Sequence, residues 1–353
     1  MSSASPNNGS GARPDQVSGV RPDQVSGSSA DRVSGGSPER SAGGGSAQRS
    51  DPPPGAATVC LGEALVDFIC ERPLDDVALG GAFVPHFGGS VANVSVIAAR
   101  HGAHVTLASG AGDDAWGRWL RHRLEQEGVG VSLFELTPGA PTPVSLVAVN
   151  GVGEPNYQIY GDTIATVVEA LGGRLEAAID GAAGLYFSSN TLVGANEREV
   201  TMRAREAALA VGRPVVFDPN LRLHRWRSRA EAAAAANACV PGALLVRANA
   251  EEVSVMTGED DLERAALALL KAGARMVVIT LGSDGAILRG ELRLDVPGRP
   301  AAVLSTIGAG DVLTGVLLAR LANSGYYPSA VAAALPEAVV QSSLACERWG
   351  ALE

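Results

Sequence analysis

The sequence predicts an α/β protein: a mostly parallel central sheet covered by helices on both faces. Three observations carry this. From Ala57 onward short apolar runs alternate with helical patterns of ten to fifteen residues, the alternation that parallel crossover units produce. The runs are apolar almost throughout, as in Val215–Phe217 and Met276–Ile279, which suits strands buried on both faces. The chain has 353 residues, 46% of them apolar, enough for a sizeable core.

In chain order, Thr58–Phe68 reads as a strand broken at Gly62 and Glu63 and ending near Asp67. Short strands at Asp76–Leu79 and Ala82–Phe87 lead into Gly88-Gly89. Ser90–Arg100 is a helix of small apolar residues stopped by Gly102. Val105–Leu107 is a strand, and Asp114–Gln126 a helix with Trp116, Leu120 and Leu124 on one face. Val131–Leu136, Val144–Asn150 and Tyr157–Tyr160 are strands. The second half repeats strand and helix. Strands fall at Gly184–Ser188, Pro214–Asp218, Leu244–Val246 and Met276–Thr280; helices fall at Glu197–Ala210, Ala230–Cys239, Glu251–Met256 and Asp261–Ala272. A hairpin at Gly285–Leu294 and a short strand at Ala302–Leu304 precede two long helices, Asp311–Ala322 and Ser329 to about Arg348.

Residues 1–56 fall outside this pattern. They are Gly, Ser, Pro and charge, with Arg13-Pro-Asp-Gln-Val-Ser-Gly19 duplicated at Arg21–Gly27, and such a stretch is expected to be a disordered tail. Its five acids balance five arginines, so the formal charge of −10 belongs to residues 57–353. That acidity argues against nucleic acid as a partner. Residues 1–30 contain no apolar run and no stretch reaches transmembrane length, so the expectation is a cytoplasmic protein without membrane contact. Cys60, Cys70, Cys239 and Cys346 lack metal-ligand spacing and read as free thiols of a reducing compartment. The five histidines form no metal motif.

Ligands of such sheets bind beyond the carboxyl ends of the strands, so polar residues there are the candidates. Gly308, Ala309 and Gly310 turn the chain into an apolar helix whose free N–H groups can cradle an anion. Asp311, on its first turn, is either a helix cap or a general base. Asp67 is a turn residue or a holder of substrate hydroxyls. Asn93 is a surface amide or a polyol contact. Asp218 and Asn220 make a turn, and Arg222 after them can neutralise a phosphate. Asn249 and Glu252, three apart, cap a helix or arrange waters around magnesium. Thr280, Gly282 and Gly285 make a turn or approach a nucleotide phosphate closely. The chain has no GxxxxGK[ST], no strand-linked GxGxxG and no GxSxG.

Taken together and in order, these stretches resemble the ribokinase-like, or PfkB, family of carbohydrate kinases, from about Thr58 to Ala351. The resemblance lies in Gly88-Gly-Ser-Val-Ala-Asn93, Gly110–Gly117, Asn249-x-x-Glu252, Thr280-x-Gly-x-x-Gly285 and Thr306-Ile-Gly-Ala-Gly-Asp311. It implies a three-layer α/β/α kinase domain over 57–353, with lid strands from about 72–87 and 144–160 that often form a homodimer interface. It implies Asp311 as the base and Gly308, Ala309 and Gly310 as the anion hole. Asn249 and Glu252 would place Mg2+ through water; Thr280, Gly282 and Gly285 would border ATP; and Asp67, Gly89 and Asn93 would hold a small sugar. Gly62-Glu-Ala-Leu-Val-Asp-Phe68 and Phe217-Asp-Pro-Asn-Leu-Arg222 with Trp226 resemble the fructokinase and 2-keto-3-deoxygluconate kinase branch. Three positions depart. Ser305 stands where the family commonly has Asp, so the resemblance does not carry K+ activation over. Tyr160-Gly161 stands where an Arg usually follows, which favours a neutral ketose over a keto-acid. Val339-Val340-Gln341 replaces a small polar residue often near adenine.

Overall fold

The computed structural model describes residues 53, 55–74, 81–161 and 163–352. The tail up to residue 52 and the strand expected at Asp76–Leu79 lie outside the described residues.

The large sheet is built from near-continuous apolar runs whose side chains alternate between two faces. Its strands are β1 (Thr58–Leu61), β4 (Val105–Gly112), β5 (Phe134–Thr137), β8 (Gly184–Ser188), β9 (Val215–Asp218), β10 (Leu245–Asn249), β11 (Met276–Thr280), β12 (Gly285–Gly290) and β13 (Leu294–Pro297). They lie in the order β13-β12-β11-β10-β9-β8-β1-β4-β5, parallel except for the β12–β13 hairpin at one edge. Cys60, Tyr186, Val216 and Leu245 face one core with helices α1 (Ser90–Arg100), α2 (Ala115–Gln126), α8 (Ala309–Asn323) and α9 (Ser329–Ala345). Their neighbours Leu61, Phe187, Phe217 and Val246 face the other. There they meet α3 (Thr163–Asp180), α4 (Ala195–Ala210), α5 (Arg229–Asn237), α6 (Ala250–Thr257) and α7 (Leu262–Lys271). Burial on both faces is why these strands show no polar alternation.

The lid sheet is separate, with β2 (Leu65–Pro73), β3 (Val84–Gly88), β6 (Val144–Val149) and β7 (Pro155–Tyr160) in the order β3-β2-β6-β7. Only β2 and β6 pair in parallel. Its own apolar cluster joins Ile69, Val147 and Val149 to Ile307.

Three expectations are corrected. The first strand does not end near Asp67: the chain passes from the large sheet into the lid at Gly62–Ala64, and Asp67 lies mid-strand in β2, paired with His86 and Ser145. Ala302–Leu304 is not a strand, because Leu304 and Ser305 donate their N–H groups to the Cys346 carbonyl at the end of α9 (2.8 and 3.2 Å). Finally, α3 was not expected. Gly172 sits inside it at φ 18°, ψ −111°, and a Gly-Gly pair splits the pattern into two pieces each too short to register as a helix.

Candidate active site

The chain leaves β1 for β4 on one side and returns to β8 on the other, so the carboxyl end of β1 is the switch point at which a crevice opens. Two helix N-termini converge there, those of α1 and α8. They approach closely because Gly315 of α8 faces α1: a Cβ there would lie 2.6 Å from Ile97 Cγ2 and 3.1 Å from the Val94 carbonyl. The close approach brings Asp311 onto the first turn of α1. Asp311 Oδ1 accepts from Ser90 Oγ at 2.6 Å, and Oδ2 accepts from Asn93 Nδ2 at 2.9 Å. No side chain of its own caps α1. Glu63, from the break between β1 and β2, does so instead, its Oε1 accepting from Ser90 N (2.9 Å) and Asn190 Nδ2 (2.8 Å).

Burial pushes the Asp311 carboxyl above the usual range, against the opposing hydrogen bonds from Ser90 and Asn93 and the charge of Arg222. A raised pKa makes a carboxylate a stronger proton acceptor. Because the Ser90 hydroxyl stabilises the ionised form, Ser90→Ala is expected to raise this pKa further. The acid limb of a kcat–pH profile should then move to higher pH by about 0.5–1 unit, one hydrogen bond's worth of differential stabilisation. An unmoved limb would mean that Asp311 does not govern it.

Around Asp311 opens a cavity of about 790 Å³. It brings together the expected Asp67, Gly89, Asn93, Arg222, Asn249, Glu252, Gly308, Gly310 and Asp311. Asp67 Oδ1 accepts from Ser145 Oγ at 2.6 Å, and burial raises its pKa to about 7. The Arg222 guanidinium lies 5.3 Å from the Tyr157 ring centroid and makes no ion pair among the described residues. Asn93 Oδ1, Glu63 Oε2 and Arg247 Nε are buried without a hydrogen-bond partner among the described residues, an arrangement of polar groups that their protein neighbours alone do not satisfy.

A second cavity, about 550 Å³, lies on the other side of Gly310. Thr280, Gly282 and Gly285 form one wall, with Ala309 at the start of α8. Val339, Ser342 and Cys346 of α9 and its end also line it. The two cavities share Arg247, Thr306 and Gly310. Gly308 opens α8 at φ 73°, a conformation L side chains rarely adopt, and so leaves the first N–H groups of the helix without a side-chain cap.

Sequence reasoning missed Arg247, which sits mid-β10 and is buried. Its Nη1 pairs with Asp218 Oδ2 (3.3 Å), its Nη2 donates to Thr280 Oγ1 (3.0 Å), and a Cβ on Gly310 would lie 2.9 Å from both Nη atoms. The signal was present: one arginine interrupts the apolar run Leu244–Ala248. Glu63 carried the same kind of signal. Asn249 and Glu252 form a capping box: Glu252 Oε2 accepts from Asn249 N, Asn249 Oδ1 from Glu252 N, and Glu252 Oε1 from Leu221 N, each at 2.8 Å. The capping reading of this pair therefore holds as geometry, and both side chains still line the first cavity. Within Gly110–Gly117, Asp114 ties α2 to the approach to β6, accepting from Gly117 N, Thr142 N and Thr142 Oγ1.

Residues 56–350 match the sequence profile described as pfkB family carbohydrate kinase. The chain belongs to this family. It is 30% identical to fructokinase-1 of Oryza sativa subsp. japonica over 265 residues, 74% of this chain and 82% of that protein. It is 31% identical to the fructokinase of Klebsiella pneumoniae over 283 residues, 78% and 88% of the two chains. The crystal structure of fructokinase from Vibrio cholerae O395 in its fructose-, ADP- and calcium-bound form superposes with a TM-score of 0.73 at 27% identity, covering 84% of this chain and 95% of that one. The PfkB kinases transfer a phosphoryl group to a sugar hydroxyl.

Proposed function

We propose that the protein phosphorylates a ketose, fructose foremost, at the expense of ATP. The observation that carries this is the placement of Asp311: held by Ser90 and Asn93 in the first cavity, one residue from the Gly310 junction with the second. Asp67, Gly89 and Asn93 hold the sugar, and Asp311 takes the proton of the attacking hydroxyl. The N–H groups of Gly308, Ala309 and Gly310 receive the charge that develops on the transferring group, with Arg222 and Arg247 adding cations. Thr280, Gly282 and Gly285 border the nucleotide phosphates.

No three His, Cys, Asp or Glu side chains converge on a metal position among the described residues. Mg2+ held through water by Asn249 and Glu252 fits this, because each Glu252 oxygen spends one lone pair on a backbone N–H and retains another. When bound, the ion neutralises phosphate charge; the protein's own part is to keep the carboxylate of Glu252 fixed.

Residues 57–353 constitute the kinase domain. The domain pairs with a second copy through its lid sheets, β7 being an edge strand with Tyr160 exposed. The fit is to a cytoplasmic enzyme with no nucleic-acid partner, and among the described residues no helix is long and apolar enough to cross a membrane.

One observation favours a keto-acid acceptor, 2-keto-3-deoxygluconate: the guanidinium of Arg222 lines the acceptor cavity and makes no ion pair among the described residues. Measuring ADP release with fructose, 2-keto-3-deoxygluconate and ribose separates the readings. Fructose is expected to give the highest kcat/KM. A higher value for the keto-acid would transfer the assignment to it, and no turnover with any acceptor would contradict the functional reading.

A further inference from the structure

Thr306 and Ile307 precede the α8 N-terminus and belong, by their contacts, to the lid. The turn joining β6 to β7 is braced by Asn150, whose Oδ1 accepts from Val152 N (3.0 Å) and Glu154 N (2.9 Å) and whose Nδ2 donates to Glu154 Oε2 (3.1 Å). Asn150 N also donates to the Glu154 carbonyl (2.9 Å). These bonds close the turn on itself. Its tip presents the Gly153 carbonyl to Thr306, which donates to it twice, from N at 2.8 Å and from Oγ1 at 3.1 Å. Gly153 holds φ 86°, and a Cβ there would lie 2.5 Å from Val303 Cγ1, so a side chain at this position is strained. Next in the chain, the Ile307 side chain is buried among Ile69, Val147 and Val149 of the lid, with Trp349 against them. Gly308 then packs on Ala351, where a Cβ would come within 2.2 Å of the Ala351 Cβ.

We infer that the Gly153–Thr306 contact is a positioning element: the lid turn, through Thr306, sets where the N–H groups of Gly308–Gly310 point. The lid sheet also forms part of the acceptor cavity through Asp67, Ser145 and Tyr157, so whatever settles the lid on an acceptor also settles the anion-binding loop on the nucleotide side. Thr306 lines both cavities, as an element between them must. Binding of acceptor therefore improves binding of the nucleotide and its alignment, and the lid turn carries this coupling. The inference rests on the kinase reading above.

The test uses the full chain and two variants that act on opposite sides of the contact, Thr306→Val, which removes the hydroxyl donor at nearly constant volume, and Gly153→Ala, which displaces the carbonyl. Affinity for β,γ-imido-ATP is measured with and without saturating fructose, alongside kcat and both KM values. The wild-type protein is expected to bind the analogue more tightly with fructose present. Thr306→Val is expected to lose most of that gain and about 2- to 10-fold in kcat, the range one lost hydrogen bond allows, while its fructose KM stays within about twofold. Gly153→Ala should show the same loss, and the double variant should fall short of the sum of the two, as groups sharing one contact do. Wild-type coupling absent, or coupling and kcat retained in Thr306→Val, would overturn the inference. Wild-type protein that turns over fructose while both variants match it contradicts the coupling alone; wild-type protein with no fructose turnover contradicts the functional reading instead.

Discussion

Arg247→Met is expected to lower both turnover and stability sharply. Arg247 is the cation between Asp218 and Thr280, with Gly310 packed against its guanidinium. Loss of one pre-organised group that stabilises developing charge commonly costs about 10²- to 10³-fold in kcat, and that is the expected fall. The side chains of Arg247 and Asp218 are 9% and 2% exposed. Removing one partner of such a pair leaves the other charge buried with only neutral donors, here Thr314 Oγ1 at 2.9 Å and Asn220 N at 3.1 Å. The destabilisation expected is about 3–5 kcal/mol. Arg247→Lys should recover much of the stability and little of the rate, because an ammonium is a point charge that does not span Asp218 and Thr280 together. Urea denaturation and steady-state kinetics on the three proteins check this. A methionine variant within about threefold of wild type in kcat would remove Arg247 from the anion site.

The fold was legible wherever burial shapes the residue pattern. α1 was expected at Ser90–Arg100 and occupies that range, and the strands flanking β1 were found from their apolar runs. What the pattern did not show was where a strand changes sheets. Thr58–Phe68 is one apolar run interrupted by Gly62 and Glu63, and period and composition read alike whether the two pieces join one sheet or two. Asp67 was thus placed at a strand end when it is mid-lid. α3 was hidden by a glycine pair that the helix accommodates with a local break. In the candidate site, the residues singled out line one of the two cavities, except Asp218, which lies behind them paired with Arg247; each was singled out at a strand end or a helix start. Arg247 and Glu63 reach the same space from inside or between strands. There a charge signals burial with partners, and a single sequence does not say which partners. Asp114 and Gly117 show the converse: a motif that carries resemblance yet does structural work, joining α2 to the lid approach.

Asp311→Asn tests the central claim, that the carboxylate at the α8 N-terminus accepts the acceptor's proton. The amide preserves size and an acceptor for Ser90, so the helix start and the α1–α8 contact should persist. Burial holds the Asp311 pKa above its unfolded value, so the ionised carboxylate destabilises the fold as pH rises through that window. At neutral pH the variant is therefore expected to melt no lower than wild type. Fructose and ATP should each bind within a few-fold of their wild-type affinities, since their remaining contacts come from other residues of the two cavities. The measurement is rapid-quench single turnover with both substrates bound, counting sugar phosphate formed. Proton transfer by a positioned base contributes about 10²- to 10⁴-fold, and the phosphoryl-transfer rate is expected to fall by that much in the folded, doubly liganded variant. A variant that binds both substrates and transfers phosphate within about tenfold of the wild-type rate would leave Asp311 as a helix cap and place the chemistry elsewhere.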